Sequence, residues 1–410
     1  MSSDDKLAQK RALKGLKVLD FGWAVTIPQA TKTLADHGAT VIRIETEKRL
    51  DVMRTHVPMV EGISGVNRCV AFAAVNTSKM AMKLDLNHPR GHEVVTKLVA
   101  WADVIVENFM AGTLERWGLD YEGIKKINPK IILVRASTFG QHGPLVKQPA
   151  FGVQLQALSG LTAVGGWPDL PPVGASVAYT DHIGPWYVIL SIMSAVDYRR
   201  RTGRGQYIDL SQLEAAVNFL APAVLDYSVN GTIQKANANR CDVAAPHNAF
   251  RCEGDDQWCA IAVFSDRDWR LCRSAMDDPE WARDQKYDTL AGRKRFEEEL
   301  DAFMETWTMN YSPEEVMHKM QAVGVATGLV SDGKKMHEDP QLNHRHHFCE
   351  VDHAEMGVIK YSDACFRFSE TPSQLGPPPC LGEHTAYVCT EILGMTDEEF
   401  LELLQEGVFT

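Results

Sequence analysis

A chain of 410 residues exceeds the ~100–200 residues usual for one domain, so two domains are expected. Hydrophobic residues make up 45% of it, ample for packed cores, which argues against extensive disorder. The formal net charge of −12 argues against a nucleic-acid backbone or an anionic membrane as the main partner, while a local basic pocket for a small anion stays compatible with it.

The opening MSSDDKLAQKRALKG has no apolar core of signal-peptide length. No window approaches the ~18 consecutive apolar residues of a membrane span. Nine cysteines, scattered without a C-x-x-C, read as reduced thiols of a cytosolic protein, several of them filling the core.

Along the chain, LKVLDFG (16–22) reads as a buried strand, followed by a helix around TKTLADHG. TVIRIE (40–45) and MAMKLDL (80–86) read as strands, and a helix opens near Pro89, a residue suited to a first helical turn. DVIVENF (103–109) is a strand, EGIKKINP a short helix and IILVRAS (131–137) a further strand. Strands alternating with helices predict a parallel sheet covered on both faces. PDLPPVG (168–174) is a proline-rich loop. VILSIMSAVDYRRRTGRG predicts a helix of roughly three to four turns, stopped by Gly203 and Gly205, and YIDLSQLEAAVNFLAPAVL a strand then a helix. Beyond residue 226 the chain turns polar and irregular. WCAIAVF (258–264) is a strand, residues 265–325 are helical and highly charged, and TDEEFLELLQEG closes the chain as a helix.

Several chemistries are disfavoured. The first turn, GWAVTIPQAT, lacks the G-x-G-x-x-G that lets a backbone approach a pyrophosphate, so NAD and FAD are not expected. There is no Walker-type phosphate loop. NHRHHFCEVDH (343–353) gathers histidines and a cysteine without a zinc spacing, and reads as a solvated His-rich loop rather than a metal site. Asp181 is the conspicuous acid: it stands in VAYTDHIGPWY (177–187), among apolar and aromatic neighbours. One reading is a helix N-cap, with Pro185 near the first turn. The other is a water-shielded carboxylate suited to covalent catalysis.

GLKVLDFGW (15–23), DHGATVIRIE (36–45), KLDLNHPRG (83–91), DVIVENFMAGTLERWGLDY (103–121), INPKIILVRASTFGQHGP (127–144), the Asp181 segment, RTGRGQYIDLSQLEA (201–215) and PCLGEHT (379–385) occur in order over nearly the whole length. Together they resemble the class III CoA-transferases, the group of formyl-CoA and carnitine CoA-transferases. The resemblance implies an α/β fold: a Rossmann-like parallel-sheet large domain built from both chain ends (1–225 and 331–410), with a smaller α+β domain at 226–330. It implies an interlocked homodimer, or a heteromer with a related subunit. It also implies CoA and acyl-CoA as substrates, with no permanently bound cofactor and no metal.

By the same resemblance Asp181 is the nucleophile that carries CoA as an aspartyl thioester. Leu84, Asp85, Leu86, Asn87, Asn108, Phe109, Arg116 and the stretch Ser137, Thr138, Phe139 and Gly140 would meet CoA, with Arg116 on a phosphate. Thr46 stands where a family arginine contacts the nucleotide, so Lys48 or Arg49 would substitute. VAAPHNAF (243–250) replaces a glycine-rich loop of oxalate-type enzymes, and its His247 and Asn248 would reach the acceptor. Phe151, Tyr179 and Trp186 would form a dry wall. These aromatics suggest an aromatic acceptor acid, benzylsuccinate- or phenyllactate-like, with succinyl-CoA or another acyl-CoA as donor. Two rival functions share the fold. An α-methylacyl-CoA racemase needs a histidine as second base, and Phe151 and Gly152 stand where its His-Asp pair would be. A non-catalytic CoA-binding subunit would not need the intact Asp181.

Overall fold

The computed structural model describes residues 11–410; the stretch MSSDDKLAQK, read as part of an opening without a targeting segment, lies outside the described residues. Six strands, β1 (Lys17–Asp20), β2 (Thr40–Glu45), β3 (Met80–Lys83), β4 (Val104–Glu107), β5 (Ile132–Arg135) and β6 (Tyr207–Asp209), form one sheet in the order β3-β2-β1-β4-β5-β6. Every neighbouring pair is parallel, with Val18 opposite both Val41 and Val104. The strands are apolar on both faces because helices cover both. On one face Leu19, Ile42, Met82, Ile105 and Leu133 pack with Leu98 and with Val388, Leu403 and Phe409 of the C-terminal segment. On the other, Val18, Val41, Val104 and Val134 pack under Ile27, Leu34, Val188 and Ile192. Each such side chain stabilises the fold by ~1.5–3 kcal/mol on burial, and the returning C-terminus supplies part of one face.

Five helices position the site: α1 (Thr26–Asp36), α2 (Gly91–Trp101), α3 (Gly152–Leu158), α4 (Tyr179–Thr202) and α5 (Gln212–Phe219). The helix expected near Pro89 starts at Gly91, so Pro89 lies just outside it. The larger correction concerns α4, which runs 24 residues rather than three to four turns and begins at Tyr179. Asp181 therefore sits inside the first turn, the position before the helix is Ala178, and no side chain caps it. The N-cap reading of Asp181 is overturned. Pro185 is accommodated inside the helix although it has no amide to offer the Asp181 carbonyl. Gly203, at φ +74°, ends the helix by donating its amide to the Arg199 carbonyl at 2.8 Å.

The chain divides into two compact units: one comprises residues up to Thr162, Gly174–Ile233 and His344–Thr410; the other Ala163–Val173 and Gln234–Asn343. The second holds an antiparallel sheet of β7 (His247–Arg251), β8 (Trp258–Ala262) and β9 (Ala326–Leu329). Its core gathers Phe250, Ile261, Trp269, Tyr287, Leu300 and Met320. In the first unit β10 (Phe348–His353) pairs antiparallel with β11 (Gly357–Ser362). The His-rich segment read as a loop is thus largely a strand, with buried His353 accepting the Glu355 and Met356 amides on Nδ1. All nine cysteines are free, and five of them are buried. Among the described residues no helix is long and apolar enough to cross a membrane.

Candidate active site

Loops at the carboxyl ends of the strands build the site, on both sides of the β1/β4 neighbourhood where the strand order reverses. The turn after β1 is held from three directions. Asp20 Oδ1 accepts the Gly22 amide at 2.7 Å. Asp51 accepts the Ala24 amide at 3.1 and 3.2 Å. Asn108, following β4, accepts the Trp23 amide at 2.8 Å and donates Nδ2 to the Trp23 carbonyl at 2.9 Å. Asn108 therefore contributes to the site by clamping Trp23. Buried ions anchor the loop after β2: Arg54 donates to both Glu45 oxygens at 2.8 and 2.6 Å and stacks 3.7 Å from the Phe72 ring, while Arg43 pairs with Asp51. Breaking a buried pair of this kind costs ~3–5 kcal/mol, so this loop, which carries Arg49, is firmly set. Under the β4 loop, Glu107 accepts the Phe109 amide at 2.6 Å and Arg135 at 2.5 Å. Burial nevertheless pushes its carboxyl up to about 7, against the pull of Arg135.

Two cavities, of about 340 and 270 Å³, share Trp23, Arg49, Phe109 and Met110 in their walls. Leu84, Asp85, Leu86, Asn87, Phe109 and Arg116, all expected at CoA, line the smaller one. Asn108, Phe109, Ser137 and Thr138 line the larger, whereas Phe139 and Gly140 lie outside both. Lys48 is engaged with Asp85 at 2.6 Å. Arg49 instead lies 4.8 Å over the Trp23 ring, exposed and with no carboxylate partner among the described residues. Arg116 is likewise exposed, and its one side-chain bond among the described residues is to Thr113 Oγ1 at 3.3 Å. Two guanidinium groups are thus available to anionic groups along this cleft.

Asp181 lines the larger cavity and is the only carboxylate among the described residues that does. The start of α4 is tied to α3 by the Thr180 hydroxyl, which donates to the Gly152 carbonyl at 3.0 Å. Gly152 is a close-approach glycine: a Cβ there would stand 2.5 Å from Ala178 Cβ and 2.7 Å from Asp181 Oδ1. Burial pushes the Asp181 carboxyl up to about 6, and a hydrogen bond from Thr26 works in the opposite direction. The dry wall differs from expectation. Tyr179 and Trp186 are absent from the lining, and Phe151 lines the cavity but is 67% exposed. Besides Trp23 and Phe109, the apolar lining of this cavity includes Ala24, Val25, Val146, Pro149 and Ala150. These sit on loops that the residue pattern did not mark.

His247 and Asn248 belong to the second unit. His247 Nδ1 lies 2.5 Å from the Asn239 carbonyl, and Asn248 Nδ2 donates to Asp301 at 3.2 Å. Both line an open trough on that unit's sheet. Sequence reasoning missed Thr26 and Gln212, which also line the Asp181 cavity. It knew Gly152 only as a departure from a racemase pattern.

A model of CoA-transferase family III matches residues 13–385. The succinyl-CoA–D-citramalate CoA-transferase of Chloroflexus aurantiacus is 31% identical, over 96% of this chain and 97% of its own. The human succinyl-CoA:glutarate CoA-transferase is 29% identical, over 97% of this chain and 90% of its own. A crystal structure of a CAIB/BAIF family protein from Brucella suis superimposes with a TM-score of 0.86 at 30% identity, covering 94% of this chain and all of that one. The chain belongs to CoA-transferase family III.

Proposed function

We propose that this enzyme moves CoA from succinyl-CoA to a small aliphatic dicarboxylic acid, with Asp181 as the covalent carrier. The observation that carries the reading is the lone Asp181 carboxylate, packed on Gly152 in a cavity at the carboxyl ends of the sheet. The donor and the acceptor class rest on the two relatives named above, which use succinyl-CoA with citramalate or glutarate. The aliphatic class is preferred to an aromatic acceptor because both of these relatives are named for aliphatic acids.

In this mechanism an ionised Asp181 oxygen attacks the thioester carbonyl. The C–S bond breaks, leaving a mixed anhydride and CoA thiolate. The thiolate attacks the Asp181 carbonyl carbon, the donor leaves as a carboxylate, and an aspartyl-CoA thioester remains. The acceptor carboxylate attacks that thioester and expels the thiolate. The thiolate then attacks the acceptor acyl carbon, releasing Asp181 as it began. No net proton or external energy is needed, since one thioester replaces another. A racemase needs proton-transferring groups on opposite faces of the α-carbon, and among the described residues Asp181 is the only acid or histidine that lines the cavity.

Succinyl-CoA alone, followed by hydroxylamine and peptide mass spectrometry, should yield a hydroxamate at Asp181. Exchange at wild-type rate by Asp181→Asn would overturn the assignment. Arg49→Ala and Arg116→Ala should each raise the acyl-CoA KM about tenfold with a smaller change in kcat, as expected when a phosphate contact serves ground state and transition state alike. Initial-rate kinetics at varied donor concentration check this. The reading also includes a dimer. Trp186, Leu190, Phe219, Leu225, Tyr227 and Val229 are all exposed in the single chain, and a second copy would cover such a face. Sedimentation at micromolar concentration should show a dimer.

A further inference from the structure

Two adjacent strands that are otherwise apolar each end on a buried ion. Val104, Ile105 and Val106 of β4 and Ile132, Leu133 and Val134 of β5 are fully buried. Glu107 and Arg135 close these strands, opposite one another in the parallel register and 0% and 4% exposed. Taking such a pair out of water is costly, and apolar side chains of similar volume would hold the sheet as well. What the pair adds is direction. The Arg135 guanidinium presents its donors in a planar fork. Nε donates to Glu107 Oε1 at 2.5 Å, while Nη1 and Nη2 donate to the two oxygens of Glu115 at 2.5 and 3.3 Å. The second oxygen of Glu107 takes the Phe109 amide at 2.6 Å.

The two acids serve different walls of the smaller cavity. Glu107 fixes the start of the segment that carries Phe109 and Met110, and Glu115 lies in the short helix Thr113–Arg116, directly before Arg116. Phe109, Met110, Thr113, Arg116 and Trp117 all line that cavity, whereas Arg135 lines neither cavity. A helix of four residues has too few hydrogen bonds of its own to fix its orientation. Leu114 anchors it in the core, and the two bonds to Glu115 form a second anchor at the end that bears Arg116. The same two walls also meet through the Phe109 and Trp117 rings, 5.6 Å apart and edge to face.

We infer that Arg135 is a positioning residue that ties the Phe109 segment to the Arg116 helix and so holds the two walls of the cleft in the placement that acyl-CoA needs. The inference rests on the reading of Phe109 and Arg116 as acyl-CoA contacts. A second effect has the same sign. While Glu115 is engaged by Arg135, its charge is neutralised one residue away from a guanidinium that is to face phosphate. Released, that carboxylate would repel the phosphate. Arg135 therefore acts on binding of the nucleotide portion of CoA, remote from the reacting thioester, and its loss should spare the chemistry of a donor that lacks the nucleotide.

The test compares two donors in the intact enzyme: succinyl-CoA, and the N-acetylcysteamine thioester of succinate, which has the same reacting group and no nucleotide. The readout is the ratio of their kcat/KM values. Arg135→Lys keeps the charge but cannot grip both acids, and should lower the ratio about tenfold, through the KM of succinyl-CoA, while the truncated donor changes less than about threefold. Glu115→Ala cuts the same tie from its exposed end, where folding is not at risk, and removes the repelling charge with it; it should lower the ratio by a smaller factor, about threefold. In Glu115→Ala/Arg116→Ala the loss should fall well short of the product of the single losses, because the tie acts through Arg116. A merely structural role would lower both donors alike. Equal losses for the two donors, an unchanged ratio, or losses that multiply would overturn the inference. Arg116→Ala separates the two levels. If it lowers the ratio while Arg135→Lys and Glu115→Ala do not, the phosphate contact stands and the tie falls; if it leaves the ratio unchanged, the contact falls and the tie with it.

Discussion

Gly152→Ala is expected to cut kcat/KM for CoA transfer by about 10²–10³-fold while leaving the protein folded. The added methyl would need to occupy space 2.5 Å from Ala178 Cβ and 2.7 Å from Asp181 Oδ1, separations that non-bonded carbon and oxygen do not adopt. Neither neighbour is a flexible tip. Ala178 precedes α4, Asp181 lies in its first turn, and Thr180 bonds the Gly152 carbonyl, so the clash must move the helix start or turn the carboxylate away. A reacting atom displaced by ~1 Å loses its line of attack, and such misplacement alone costs about 10²-fold. Because the proposed acyl-CoA contacts, Arg49 and Arg116, lie on other loops, the donor KM should change far less than kcat. Steady-state kinetics, with far-UV circular dichroism as the check on folding, decide the matter. Activity within about threefold of wild type would show that the carboxylate does not depend on this contact.

The strands were legible because parallel strands buried on both faces are near-continuous apolar runs, and TVIRIE matches β2 residue for residue. The start of α4 was not. Its first turns read YTDHIGPW, where an acid and a proline imitate the approach to a helix, and Pro185 is admitted inside it. Strand β10 was hidden for a different reason: FCEVDH buries only Val351 and His353, so its alternation is carried by a histidine rather than by an apolar residue. In the site, Asp181 stood out because a lone acid among apolar neighbours is chemically conspicuous. Thr26, Gly152 and Gln212 were silent because they lie on three separate helices, and only the packing of α1, α3 and α5 against α4 brings them to one carboxylate. Gly184 held a faint signal: a glycine near the start of a helix is costly unless another chain segment approaches there, and Thr26 is what approaches.

Asp181→Asn should abolish transfer and at the same time stabilise the protein at neutral pH. The proposed carrier mechanism begins with attack by an ionised oxygen that asparagine lacks, so turnover should fall by at least about 10³-fold, the scale seen when a covalent nucleophile is lost. The stability change follows from burial. The folded protein holds the Asp181 carboxyl at about 6, above the 3.8 of an unhindered aspartate, chiefly because its ion is desolvated. The folded state therefore binds this proton more tightly than the unfolded state does, and stability declines as pH rises through that interval. Below the unfolded value both states are protonated and the cost vanishes; above about 6 both are ionised and the cost is complete. At roughly 1.4 kcal/mol for each tenfold disfavouring of the ion, it amounts to ~2–3 kcal/mol as an upper figure. Asparagine fills nearly the same volume without that charge. Urea unfolding of both proteins should therefore show the variant more stable at pH 7.5 and the difference shrinking toward zero near pH 4. A variant less stable than wild type at pH 7.5 would mean that the carboxylate is well solvated or well paired where it sits, and with that the strained, reactive ion on which the proposed chemistry depends would be gone.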